Sequence, residues 1–426
     1  MLTPGQTVPL RIEKPAAGGR MIARVDGQVV LVADAIPGER VQARIERVGK
    51  GVAYAQTLSV EEPSGDRRDP FADPLCGGCL YSHIAYPRQL ELKSEVIADA
   101  FRRIGRLELP AAVAVAGSPE HGYRMRARLH VRGHRLGFFR ENSHDVCDAR
   151  ATRQLLPTTS DALDRLMAAM RSLGLEAVRE IELSENVDAS ERVVFLDAAA
   201  ALDDSTLERL AGTDGLTGLG SAFGAYGSPY VTDSLTIGES SLTLRRHVQA
   251  FFQGNRHLLG DLVTHVTDRV PIGSTVLDLY AGVGLFAVAA AVIRGAWVVA
   301  VEGDAYAADD LHANGAASGG QITTVRGAVE AVAVGTFGAW GRAAGRPAVE
   351  TIIVDPPRTG MSQAAVDKVL KLAAPRLLYV SCDVATLARD ARRIVDHGYA
   401  IDRADAFDLF PNTPHVETVV LFTRET

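Results

Sequence analysis

The chain has 426 residues, of which 47% are hydrophobic and 23% charged, and it carries a formal net charge of −7. That length supports two or three domains with their own cores, and that composition excludes a disordered chain. MLTPGQTVPL lacks a basic start with an apolar run behind it, and the longest apolar stretch, residues 285–301, is broken by Arg294 and Gly295. Neither an export signal nor a membrane span is expected.

Residues 1–61 read as a small β-barrel module. Five short runs (VPLRIE, RMIARV, QVVLVAD, RVQARIERV and VAYAQTLSV) are separated by Gly and Pro turns. A polar, Pro-rich connector, residues 61–75, leads into CGGCLYSHIAYPRQLELK and a helical pattern near residues 87–105. Residues 62–247 form a central domain of alternating strands and helices. Residues 1–150 carry 22 Lys and Arg against 18 Asp and Glu, whereas the remainder carries 23 against 34. The N-terminal part is therefore the side expected to meet an anionic polymer. Its most basic stretch, residues 122–140, has six arginines, no acid and three aromatics. Arg124, Arg126 and Arg128 alternate, which places them on one face of a strand, a pattern suited to single-stranded nucleic acid.

From residue 248 to 426 the pattern is α/β. STVLDLYAGVGLF reads as strand, glycine turn and helix; AWVVAVEGD is a strand ending in an acid. TTVRGAVE, ETIIVDPPRTG and RLLYVSC are further strands, the last two followed by helices. YAIDRADAFDLF and ETVVLFTR close the domain as an antiparallel pair. A doubly wound sheet with its ligand site at the strand C-termini follows. Gly282 and Gly284 let the backbone approach a nucleotide cofactor, and Glu302 is placed to accept its ribose hydroxyls. Gly282, Gly284 and Ala287 also fit G-x-G-x-x-A, so a nicotinamide oxidoreductase is an alternative at this point. DPPRTG decides against it: a carboxylate, Asp355, and a rigid Pro-Pro turn beside the cofactor resemble S-adenosylmethionine enzymes that methylate nucleobases. Cys382 ends an apolar run and opens a helical pattern, where a thiolate is most easily stabilised.

These motifs together resemble the bacterial RNA 5-methyluridine (uracil-C5) methyltransferases, over nearly the whole chain. The resemblance implies a Rossmann-like S-adenosylmethionine domain preceded by a TRAM RNA-binding barrel and a central α+β domain. FFQGN (residues 251–255), DPPRTG, VSCDVATLARD and DLFPNTPHVETVVLFTR carry it. By position it implies that Gln253, Tyr280, Gly282, Glu302 and Asp355 line the cofactor site, that Cys382 is the nucleophile and that Glu417 is the base. His415 is expected to be structural. The chain departs from the family at Asp383-Val384, usually Asn-Pro, and at Ala281, usually Cys. Asp383 is expected to disfavour the neighbouring thiolate by like charge.

Uracil C5 is a poor nucleophile. A thiolate adding to C6 makes C5 electron-rich, and a base must then remove the C5 proton. The uracil must leave its stack to be reached. Ribosomal RNA is the expected substrate; the T-loop uridine of transfer RNA is the rival, and a catalytically silent RNA-binding protein is an alternative of another class. With no export signal, the four cysteines point to a reducing, cytoplasmic compartment, where metal binding or catalysis is expected ahead of disulfides. Cys76, Cys79 and Cys147 resemble the family's [4Fe–4S] site with one cysteine missing, for which Asp69 is the best-placed substitute. Zinc, or no metal, stays open. A monomer is the default.

Overall fold

The computed structural model describes residues 2–331 and 348–424. Among them no helix is long and apolar enough to cross a membrane.

The N-terminal module is a six-stranded sheet in which Thr7–Arg11, Arg40–Val48, Val52–Glu62, Gln28–Ala33, Met21–Val25 and Lys14–Pro15 lie side by side. Five of these are the apolar runs of the sequence. The sixth, Lys14–Pro15, is two residues long, too short for a period to show. Alternating residues such as Val41, Ala43 and Ile45 point into one core, which Tyr81, Ile84 and Leu92 of the following segment complete.

That segment enters the helix Tyr86–Ala100, with Pro87 in its first turn. The helix continues as one wide turn, Phe101–Gly105, and ends at Arg106 in a left-handed conformation. Ile97, Ala100 and Phe101 pack against the C-terminal sheet. The central sheet runs Val146–Asp148, Arg135–Phe139, Arg126–Arg132, Val178–Glu185, Arg192–Ala198, Gly218–Ser221, Gly224–Gly227. The helices Pro157–Ser172 and Asp204–Ala211 cover one face of it.

The C-terminal sheet has eight strands in the order Gln321–Arg326, Trp297–Glu302, Thr275–Leu279, Thr351–Val354, Arg376–Ser381, Glu417–Thr423, Ala400–Phe407, Ala114–Ala116. The first five are parallel; Glu417–Thr423 runs antiparallel to both its neighbours. Its inner strands Thr275–Leu279, Thr351–Val354 and Arg376–Ser381 are buried on both faces. Val276, Ile353, Leu378 and Val380 feed one hydrophobic cluster, while Leu277, Ile352, Val354 and Tyr379 feed the other. The hairpin Tyr230–Ile237 and Ser240–His247 adds Leu235, Ile237, Leu242 and Leu244 to the first cluster. Strand order reverses between Thr275–Leu279 and Thr351–Val354, which opens a crevice at their C-terminal ends.

Candidate active site

A cavity of about 610 Å³ occupies that crevice. Each strand tip delivers one group to it. Thr275–Leu279 ends at Tyr280 and the glycine turn. Gly282 (φ +56°) and Gly284 (φ +97°) both adopt left-handed backbone, and a Cβ on Gly284 would lie 2.9 Å from the Leu311 side chain. Residues with a side chain rarely adopt that backbone, and the turn it allows opens the helix Leu285–Arg294. Trp297–Glu302 ends at Glu302, whose carboxylate is oriented by three backbone N–H groups at 2.7 Å, those of Gly282, Gly303 and Asp304. Thr351–Val354 delivers Asp355, which accepts a hydrogen bond from Gln253 at 3.1 Å. Arg358 follows on the Pro-Pro turn and also lines the cavity.

Arg376–Ser381 ends at Cys382, and Glu417 begins the neighbouring strand. The register pairs Ser381 with Thr418, so Cys382 and Glu417 face each other across the end of the pair. Glu417 is 2% exposed, and its Oε1 has no hydrogen-bond partner. Burial, and then the charge of Asp355, hold its carboxyl well above the usual range; Arg358 opposes them. Burial pushes the Cys382 thiol up to about 12, Glu417 and Asp355 add to the rise, and Arg358 counters it. Asp355 itself is pushed up to about 7, chiefly by burial, with Glu302 adding and Gln253 opposing. Three acidic groups thus share one buried site, and the Arg358 guanidinium acts against the rise of two of them, Cys382 and Glu417.

The sequence expectation that Asp383 acts on the thiol is corrected. Its carboxylate is turned to the helix Val384–Asp396, where it accepts from the N–H groups of Ala385 (3.1 Å) and Thr386 (2.9 Å) as an N-cap. The like charges that raise Cys382 belong to Glu417 and Asp355.

Gln253, Tyr280, Gly282, Glu302, Asp355, Cys382 and Glu417 all line this one cavity. Arg124 and Arg126 line it too, but the single exposed arginine row does not form. The strand starts at Arg126, and Arg124 turns inward to donate to Gln154 at 2.6 Å. Arg126 and Arg128 both pair with Glu182 of the adjacent strand, at 3.5 and 2.8 Å. An acid more than fifty residues away pairs with two arginines of a stretch that has no acid of its own. The sequence reading gave no role to Phe251, Arg358 or Phe410, which the cavity includes. Phe251 is 60% exposed at the mouth, with the Arg126 guanidinium 5.8 Å from its ring centre.

The cysteine expectation is also corrected. Cys76 and Cys147 are joined in a disulfide, with Cα atoms 6.1 Å apart, and Cys79 is a separate, buried thiol pushed up to about 12 by burial. Asp69 lies exposed. Among the described residues no group of three or more His, Cys, Asp or Glu could hold a metal. This donor set does not fit a four-thiolate cluster.

The sheet order, the glycine cradle and the acid-tipped second strand define an S-adenosylmethionine-dependent methyltransferase domain. A family model for tRNA (Uracil-5-)-methyltransferase matches residues 225–425, and one for the TRAM domain matches residues 2–58. The 23S rRNA (uracil(1939)-C(5))-methyltransferase RlmD of Halomonas elongata is 33% identical over 97% of this chain and 88% of its own length. Its namesake in Nitrosospira multiformis is 31% identical over 98% of this chain and 99% of its own. The crystal structure of Pyrococcus abyssi tRNA (uracil-54, C5)-methyltransferase in complex with S-adenosyl-L-homocysteine has the same fold. It superposes with a TM-score of 0.74 at 24% identity, over 98% of this chain and all of that one. The chain belongs to the RNA uracil-C5 methyltransferases, with an N-terminal TRAM domain, and methylates uracil C5 in RNA using S-adenosylmethionine. The oxidoreductase and silent-binder alternatives fall with that assignment.

Proposed function

We propose that the chain methylates a uridine of ribosomal RNA, with Cys382 as nucleophile and Glu417 as base. The observation that carries the reading is the register of the two neighbouring strands. It sets a thiol and a carboxyl beside each other at the cavity that the glycine turn also lines.

The cofactor site fits its ligand. Gly282 and Gly284 turn the backbone in the left-handed region, Glu302 is held by backbone N–H groups, and Gln253 and Asp355, hydrogen-bonded to each other, line the same cavity. In relation to these residues, S-adenosylmethionine supplies a sulfonium methyl as the electrophile. Cys382 adds to C6 of the uracil, and the ring's electron pair moves to C5, which becomes the nucleophile. Arg358 stabilises the thiolate. Once C5 carries the methyl, with S-adenosylhomocysteine as the leaving group, Glu417 takes the C5 proton; the C5–C6 double bond reforms and the Cys382 thiolate leaves. Phe251 at the mouth, with the Arg126 guanidinium over its ring, offers a stacking surface for an unstacked base.

Both reacting groups must be deprotonated, and the site raises both, so the rate rises with pH and is lost as pH falls. Arg358→Gln removes the cation that opposes the rise. The single-turnover rate is expected to fall about tenfold near neutral pH and to recover in alkaline buffer, since a tenfold change in ionised fraction corresponds to roughly 1.4 kcal/mol. A loss of the same factor at every pH would show that Arg358 acts by shape and not by charge.

Ribosomal RNA is favoured because the curated relatives named above act on 23S rRNA by their names. Mass spectrometry of ribosomal and transfer RNA from a strain lacking the gene is expected to show 5-methyluridine missing from ribosomal RNA alone. Loss at the T-loop of transfer RNA instead would transfer the activity there.

A further inference from the structure

The segment CGGCLYSHIAYPRQLELK holds no metal set, yet it is built into the loop that delivers Glu417. The strands Ala400–Phe407 and Glu417–Thr423 pair Phe407 with Glu417, so the loop between them, residues 408–416, closes directly beside Glu417. Phe410 of that loop lines the cavity. Two residues of the helix Tyr86–Ala100, four apart and so on one face, grip it. Lys93 donates to the Asp408 carboxylate and to the Phe410 carbonyl at 3.2 Å. Gln89 donates to the Asn412 side-chain carbonyl at 3.0 Å, and its own carbonyl accepts from the Asn412 N–H at 2.9 Å. The Tyr81 N–H donates to the Asn412 carbonyl at 2.8 Å, which ties the cysteine turn to the same point.

Lys93 is 1% exposed and Asp408 is fully buried. A buried ion pair is a poor source of stability compared with apolar packing, and its best-attested use is to fix one arrangement among several. Here the arrangement fixed is that of the loop ahead of Glu417.

We propose that Gln89 and Lys93 are positioning residues for the proton-abstraction half of the reaction, holding residues 408–416 so that Glu417 faces the base bound at Cys382. This rests on the reading of Glu417 as the base. In that half the Glu417 carboxylate takes the C5 proton, the C5–H electron pair becomes the C5–C6 double bond, and the C6–S bond breaks to return the thiolate. Cys382 and the cofactor residues stand on other elements, so a slackened loop spares the first half and slows the second. The methylated protein–RNA adduct then accumulates.

The test uses the full chain, RNA isolated from the deletion strain and methyl-labelled S-adenosylmethionine. Gln89→Leu is compared with the double variant Lys93→Met/Asp408→Leu, which leaves no lone buried charge. Each is expected to form a denaturant-stable, methyl-labelled adduct well above that of the wild type. Turnover is expected to fall about tenfold to a hundredfold, the cost of a small misplacement of a reacting group, with KM for S-adenosylmethionine within about twofold. Wild-type turnover in both variants, or turnover and cofactor affinity falling together without adduct, would overturn the proposal. So would failure of both variants to fold, because the role would then be structural. Glu417→Gln separates the two readings. If it turns over normally, Glu417 is not the base. If it traps adduct while the helix variants do not, only the positioning role fails.

Discussion

Cys382→Ala is expected to reduce methyl transfer by on the order of 10⁴-fold or more, the usual consequence of removing a nucleophile that acts with a dedicated base. RNA binding and the fold should survive. The residue stands past the end of a buried strand, half-buried at the cavity, and the change removes one sulfur atom. The following helix keeps its cap, because the Asp383 carboxylate and not the cysteine holds the N–H groups of Ala385 and Thr386. Filter binding and a single-turnover assay with labelled methyl donor separate the two properties. Retained turnover would mean that C5 is activated without covalent addition.

Glu417→Gln is expected to stop the reaction at the opposite end. The amide keeps the shape of the carboxyl but cannot take a proton, so thiolate addition and methylation proceed and elimination does not. Turnover should fall by about 10²- to 10⁴-fold, the range for loss of a general base, with a methyl-labelled adduct surviving denaturation. Loss of turnover without adduct would assign Glu417 to an earlier step. Stability should move the other way. Glu417 is buried, with one oxygen unpartnered, and its carboxyl is raised well above the ordinary value. Such a group contributes stability only while it stays protonated below its unfolded value, and that contribution is lost as pH rises through the folded one. A thermal melt near neutral pH should therefore place Glu417→Gln at or above the wild type, as expected where function keeps a group that folding does not favour.

Much of this site was legible because the fold places chemistry at strand ends. Glu302, Asp355 and Cys382 each close an apolar run, and a buried parallel strand advertises its own C-terminus. Glu417 was legible only through the motif around it, since nothing in its local spacing says which carboxyl faces the cavity. What escaped the sequence depends on partners distant along the chain. The arginine stretch looked free because Glu180 and Glu182 come from the next strand of the sheet. Cys76 meets Cys147 across 71 residues, as grouping the two in one site required, but they meet as a disulfide and not as metal ligands. The edge strand Ala114–Ala116 pairs with residues 405–407, and its three residues carry no period to read. Asp383 was a different kind of miss. Its position beside the thiol suggested a charge effect, whereas its backbone position made it a helix cap.

The account's central claim is a covalent bond between Cys382 and C6 of the target uracil. It is tested most directly with substrate RNA carrying 5-fluorouridine at the target. Fluorine cannot be removed by a base as a proton is, so elimination is blocked once the thiolate has added and the methyl has moved. Peptide mapping of the trapped complex should find the nucleotide, with its added methyl, on the peptide containing Cys382, and Cys382→Ala should give none. A wild-type protein that forms no adduct, or an adduct at any other residue, would contradict the account.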